Sequence, residues 1–132
     1  MADEIDEETL AFAHRMFDLA RNGQTDELAY QVDAGLPANL TNDKGDTLLL
    51  LAAYYQHPEA VAALLARGAD PNAVNDRGQT ALVAAVFRKS AASVSSLLDA
   101  GADPTLGQPS AVETARFFAL PEMLALLEAS QA

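Results

Sequence analysis

The sequence predicts an all-α solenoid: a stack of about four helix pairs in one domain. Three observations carry this. The chain repeats itself every 33 residues. Each repeat has the punctuation of two short helices. The composition is half hydrophobic but only 6% aromatic, so the core must be built from Ala, Leu and Val, which suits close helix packing.

The repeat appears when the chain is laid against itself. Asn42-Asp43-Lys44-Gly45-Asp46-Thr47 falls on Asn75-Asp76-Arg77-Gly78-Gln79-Thr80, 33 residues on. Gly68-Ala69-Asp70-Pro71 falls on Gly101-Ala102-Asp103-Pro104 at the same distance, and Gly35 and Asn39 lie under Gly68 and Asn72. Ser110 to Arg116 matches Thr47 to Ala53 at a distance three residues short of two periods, so the fourth unit has lost part of its lead-in. A fixed period of this size marks a repeat array.

Within a unit, Thr47 is placed to cap a helix running to Tyr55. Pro58 opens a second helix, as proline does at a first turn. Val61, Leu64 and Leu65 give that helix an apolar stripe. Gly68 ends it, and Asp70-Pro71-Asn72 and Asp76-Arg77-Gly78 supply turns. One such pair cannot bury its apolar face alone, and three or more stacked units can. Residues 1–8 read as an acidic tail. Residues 9–132 read as the domain, with repeats at about 9–41, 42–74, 75–107 and 108–132. The first helix, Glu8 to Asn22, turns Phe12, Ala13, Met16, Phe17, Leu19 and Ala20 inward, and Pro121 opens the last.

These residues resemble the ankyrin-repeat family, in particular short stand-alone ankyrin-repeat proteins of bacteria. The motifs that carry the likeness are Gly45-Asp46-Thr47-Leu48-Leu49-Leu50-Leu51-Ala52-Ala53 and Gly68-Ala69-Asp70-Pro71-Asn72-Ala73, restated as Gly78-Gln79-Thr80-Ala81-Leu82-Val83-Ala84-Ala85 and Gly101-Ala102-Asp103-Pro104. The resemblance implies antiparallel helix pairs with short β-hairpin fingers at one edge. Two departures stand out. The family's Thr-Pro-Leu-His is Thr47-Leu48-Leu49-Leu50 and Thr80-Ala81-Leu82-Val83, without the histidine. The glycine between paired helices is Gln56, Lys89 and Ala119, surviving only as Gly23. The turns between helices are therefore expected to differ from the family's.

Composition bounds the function. Eight Lys and Arg against 19 Asp and Glu give a net charge of −11. The cations are scattered, so no patch neutralises phosphates and no nucleic-acid or anionic-membrane partner is expected. A basic protein is the partner class that this charge favours, although acidity also serves solubility alone. No apolar run reaches the length of a membrane helix, the N-terminus is acidic where a signal peptide is basic, and cysteine is absent. A cytoplasmic monomer is the expectation.

No catalytic constellation emerges, and neither an enzyme nor a bound cofactor or metal is expected. His14 and His57 lie in different repeats and share no ligand spacing. His57 reads as a packing residue and His14 as a contact residue of the first helix. The clustered Ser90, Ser93, Ser95 and Ser96 have no histidine base nearby, and Asp43 and Asp46 sit where nothing apolar raises a carboxyl pKa. Asn39-Leu40-Thr41 spells a glycosylation sequon, and Asn39 reads more simply as a turn residue.

What remains is a binding surface. The resemblance places it on the finger tips and the exposed ends of the inner helices. Finger residues are Asp43, Lys44 and Asp46, then Asp76, Arg77 and Gln79. The helix positions equivalent to Tyr54 are Arg21, Phe87 and Phe117, and those equivalent to Tyr55 are Asn22, Arg88 and Phe118. Five of these eight helix-end positions are aromatic, in a chain with eight aromatics. Interfaces favour aromatics with arginine beside them. The reading is a non-catalytic interaction module, accessory or inhibitory, that binds through Tyr54, Tyr55, Phe87, Arg88, Phe118, Lys44, Asp46, Arg77, Gln79 and Arg21. The alternative is a repeat protein that associates with its own copies. Phe117 is left out of this set, because a tilt of the last repeat caused by the shortened lead-in before Ser110 would turn its ring inward.

Overall fold

The computed structural model describes residues 6–131. Its helices are α1 (Glu7–Asn22), α2 (Thr25–Asp33), α3 (Leu48–Tyr54), α4 (Pro58–Ala66), α5 (Ala81–Phe87), α6 (Ala91–Asp99), α7 (Ala111–Phe117) and α8 (Pro121–Ser130). They form two layers. The inner row is α1, α3, α5 and α7, and the outer row is α2, α4, α6 and α8. Each helix packs on its pair mate and on its neighbours in the row. The chain is an all-α repeat solenoid.

Three of the four inner helices, α3, α5 and α7, start where a hydroxyl can cap them. The side chains of Thr47, Thr80 and Ser110 accept from the amides of Leu50, Val83 and Glu113 at 3.0, 3.1 and 3.1 Å. The Glu113 carboxylate returns the favour to the Ser110 amide at 2.9 Å, closing a reciprocal box. The residues after the caps of α3 and α5 are Leu, Val and Ala, and the first six positions of both helices are buried. Small residues at Ala52, Ala53, Ala85, Ala111 and Ala115 let the inner row close up. Leu64, Leu97 and Leu127 fill the matching site in three outer helices. Ser93, in the outer-helix position held by Ala60 and Met123, is fully buried, and its hydroxyl has no hydrogen-bond partner.

Two expectations need correction. The turns between paired helices keep one geometry despite the lost glycines. Gln56, Lys89 and Ala119 adopt φ of 65°, 60° and 52°, beside 69° for Gly23. The position demands a left-handed residue, and three non-glycines accept the strain. Gly23 itself is fixed by a neighbour, because a Cβ there would run into the His57 ring. His57 Nε2 lies 2.7 Å from the Arg21 carbonyl, tying the first two repeats. The second correction concerns the start. Part of the tail drawn over residues 1–8 lies outside the described residues. Within them, Asp6 caps α1 by accepting from the Thr9 amide at 2.7 Å, so Glu7 and Glu8 form a helical first turn. That hydrogen bond holds the Asp6 carboxyl below its ordinary pKa, and the helix dipole favours acids there.

The fingers are tight turns with little strand. Isolated bridges join Thr41 to Thr47 and Gly107 to Ser110. A second set of turns, after the outer helices, is stitched by asparagine. Asn39 Oδ1 accepts from the Asp70 amide at 2.7 Å, and Asn72 Oδ1 accepts from the Asp103 amide at 2.8 Å. Asn39 is thus a staple between repeats. At the corresponding site Thr105 turns back on its own repeat, donating through hydroxyl and amide to Asp103, whose carboxyl is held below its ordinary pKa by the hydroxyl first and the amide second.

Charge is sorted by layer. The outer helices carry Asp26, Glu27, Asp33, Glu59, Asp99, Glu122 and Glu128 and neither Lys nor Arg. Every Lys and Arg except Arg67 lies on an inner helix, at its C-terminal turn or on a finger. Net charge is therefore most negative on the side of the outer helices.

Candidate functional site

The fingers are built by their asparagines. Asn42 Oδ1 accepts from the amides of Lys44 and Asp46, both at 2.9 Å. Asn75 Oδ1 does the same for Arg77 and Gln79 at 3.0 and 2.8 Å. Gly45 and Gly78 complete the turns at φ of 77° and 78°. Adjacent fingers are then joined. The Asp76 amide donates to the Lys44 carbonyl at 3.1 Å, and Asn75 Nδ2 donates to Asp46 Oδ1 at 2.8 Å. In the shortened fourth unit, the Gln108 amide donates to the Gly78 carbonyl at 2.9 Å.

Between the fingers and the inner helices runs a groove of about 670 Å³. Leu50, Leu51, Val83, Ala84 and Thr114 form its floor. Tyr54, Tyr55, Phe87 and Phe118 stand along one wall. Asp43, Lys44, Asp46, Asn75, Asp76, Arg77, Gln79 and Pro109 form the other. The wall rings are between 38% and 50% exposed. They touch edge-on: Tyr54 and Tyr55 at 5.2 Å, Phe87 and Phe118 at 5.4 Å, and Phe118 and Phe117 at 4.9 Å between ring centres.

The structure thus gathers most of the residues singled out in the sequence: Tyr54, Tyr55, Phe87, Phe118, Lys44, Asp46, Arg77 and Gln79. Two stand apart from the lining. Arg88 lays its guanidinium over the Tyr54 ring at 5.1 Å. Arg21 pairs with Asp18 at 2.9 Å. Asp46 and Gln79 have a structural duty that spacing alone did not reveal, since both accept from Asn75 Nδ2. Asn75 and Pro109 are lining residues the sequence reasoning passed over. The signal for Asn75 was its repetition of Asn42. Phe117, left out of the set because a tilted last repeat would turn it inward, has its ring 82% exposed. The fourth repeat stays in line because Ser110 takes the cap position of Thr47 and Thr80.

Among the described residues no helix is long and apolar enough to cross a membrane. Among them, too, no group of three or more His, Cys, Asp or Glu could hold a metal ion.

Comparison with known proteins agrees with this geometry. Residues 16–108 match the family model described as ankyrin repeats, three copies. A 58-residue stretch is 50% identical to an ankyrin repeat protein of Pseudomonas aeruginosa. That stretch is 44% of this chain and 34% of the relative, so the chain spans about a third of the length of the protein it matches. With a 33-residue period, capped inner helices, linked fingers and a concave aromatic groove, the chain belongs to the ankyrin-repeat family, whose repeats are protein–protein interaction modules.

Proposed function

We propose that this chain is a non-catalytic accessory or inhibitory protein that grips one partner protein in the groove between fingers and inner helices. The observation that carries the reading is the row of half-exposed rings, Tyr54, Tyr55, Phe87 and Phe118, above an apolar floor. Rings held half in water contribute little to folding. They retain apolar area that a partner can cover, and contiguous exposed apolar surface marks interaction sites. Aromatic anchors at the centre of an interface carry most of its energy. Lys44, Arg77, Asp43 and Asp76 at the tips set the polar rim.

The net charge of −11 supports a basic partner, because a long-range field raises the rate of encounter with opposite charge. The same charge opposes approach of a second copy, which supports a monomer over self-association.

The test is affinity capture from the native cell, followed by titration of the captured partner with purified variants. Tyr55→Ala and Phe87→Ala should each weaken binding by about 1–3 kcal/mol. Their melting temperatures should stay close to that of the unmodified protein. A partner whose contacts are confined to the outer helices near Glu59 and Ser95 would refute the reading.

A further inference from the structure

The helix ends of this array follow a rule of overlap. In the third and fourth repeats the residue at the Tyr55 position covers the ring at the Tyr54 position of the repeat before. Arg88 covers Tyr54 at 5.1 Å, and Phe118 covers Phe87 at 5.4 Å. The covered rings are 38% and 43% exposed. Phe117 holds the same position in the fourth repeat and is 82% exposed. Its edge meets Phe118 at 4.9 Å, but no described residue plays for it the part that Arg88 plays for Tyr54.

The surroundings of Phe117 differ from those of its equivalents in a directed way. One helical turn earlier on the same face of α7 stands Glu113, exposed, where the equivalent residues are the buried Leu50 and Val83. Beyond the apolar floor of the groove, α7 thus carries an exposed carboxylate one helical turn before Phe117. One Glu113 oxygen accepts from the Ser110 amide, and the other has no hydrogen-bond partner among the described residues. A ring face carries negative electrostatic potential and attracts a cation, most often a guanidinium. Arg116 is exposed on the same helix, but among the described residues it neither pairs with Glu113 nor stacks on Phe117.

We infer that the exposed face of α7 beside the fourth-repeat end of the groove, carrying Glu113 and Phe117, is a subsite for an arginine side chain of the partner. The guanidinium stacks on Phe117 as Arg88 stacks on Tyr54 and is balanced by Glu113. The inference rests on the groove reading above and adds the chemistry of one anchor. Two features select arginine over an aromatic or aliphatic residue: the carboxylate one turn from the Phe117 ring, and the stacking of Arg88 on the equivalent Tyr54 ring.

A random dodecamer peptide library displayed on phage tests it without knowledge of the natural partner. Peptides selected on the unmodified protein should be enriched in arginine at one position relative to an apolar pair. Replacing that arginine by citrulline, which has the same shape without the charge, should weaken a synthetic peptide about tenfold, within the range of a partly desolvated cation–π contact. On Phe117→Ala the same replacement should matter less than about twofold, and Glu113→Gln should fall between. Phe117→Ala should keep its circular dichroism and melting temperature, since the ring is exposed. Selected peptides that depend on Tyr55 and Phe87 but show no arginine preference would overturn the subsite and leave the groove reading standing. An arginine preference that survives Phe117→Ala would also overturn it. Failure of any peptide to depend on Tyr55, Phe87 or Phe117 would overturn both.

Discussion

Ala119 shows at the scale of one residue how this chain departs from an ideal repeat. Its φ of 52° places a Cβ where a left-handed backbone crowds it, at a cost of about 1–2 kcal/mol. Glycine would relieve that crowding but would loosen the unfolded chain by about 0.5–1 kcal/mol. Ala119→Gly is therefore expected to stabilise the protein by about 0.5–1 kcal/mol, read from urea unfolding midpoints. Gln56→Gly should gain less, because Gln56 Nε2 donates to the Arg88 carbonyl at 3.1 Å and that bond would be lost. A destabilised Ala119→Gly would show that the turn is not strained. The handedness of these turns was hidden in the sequence, because Gln, Lys and Ala carry no turn signal and the position is imposed by the flanking helices. Gly23 was legible as a turn residue, but the reason it remains glycine was not. The His57 ring that crowds it comes from another repeat.

The helix pair and the connecting turns are where local signals served best and where cross-repeat contacts escaped them. The caps Thr47, Thr80 and Ser110 were readable because a cap is bonded to its own helix, three residues on. The asparagine staples were not, because Asn39 and Asn72 act on amides 31 residues away. Asn72→Ala removes the acceptor for the Asp103 amide and the donor to the Gly101 carbonyl. The expected loss is about 1 kcal/mol, with hydrogen exchange at the Asp103 amide faster by several-fold and exchange at the Asp70 amide unchanged. Asn39→Ala should reverse that pattern. Equal acceleration at both amides would mean that the two staples open together and not one by one. The groove rings were likewise legible as a row, from their recurrence at helix ends. Their overlap, and with it the exposure of Phe117, depended on how far one repeat rotates on the next.

At the scale of the whole molecule the fold is a chain of neighbours. Inner and outer rows each contact only the adjacent repeats to any extent, and stability in such an array is a sum of local terms. Deleting residues 75–107, one full period, should leave a helical, cooperatively folded protein that is weaker by about 2–5 kcal/mol, from the usual 0.05–0.15 kcal/mol per residue. Circular dichroism with thermal melting checks it, and complete loss of helix would contradict a modular stack. The sorting of charge by layer has a practical side. Spread on a positively charged support, the molecule comes to rest on its acidic outer helices, with the fingers and aromatic wall turned away from the surface. An anion-exchange matrix then acts as an orienting bed, on which the groove stays open to passing protein without any tag to hold it upright.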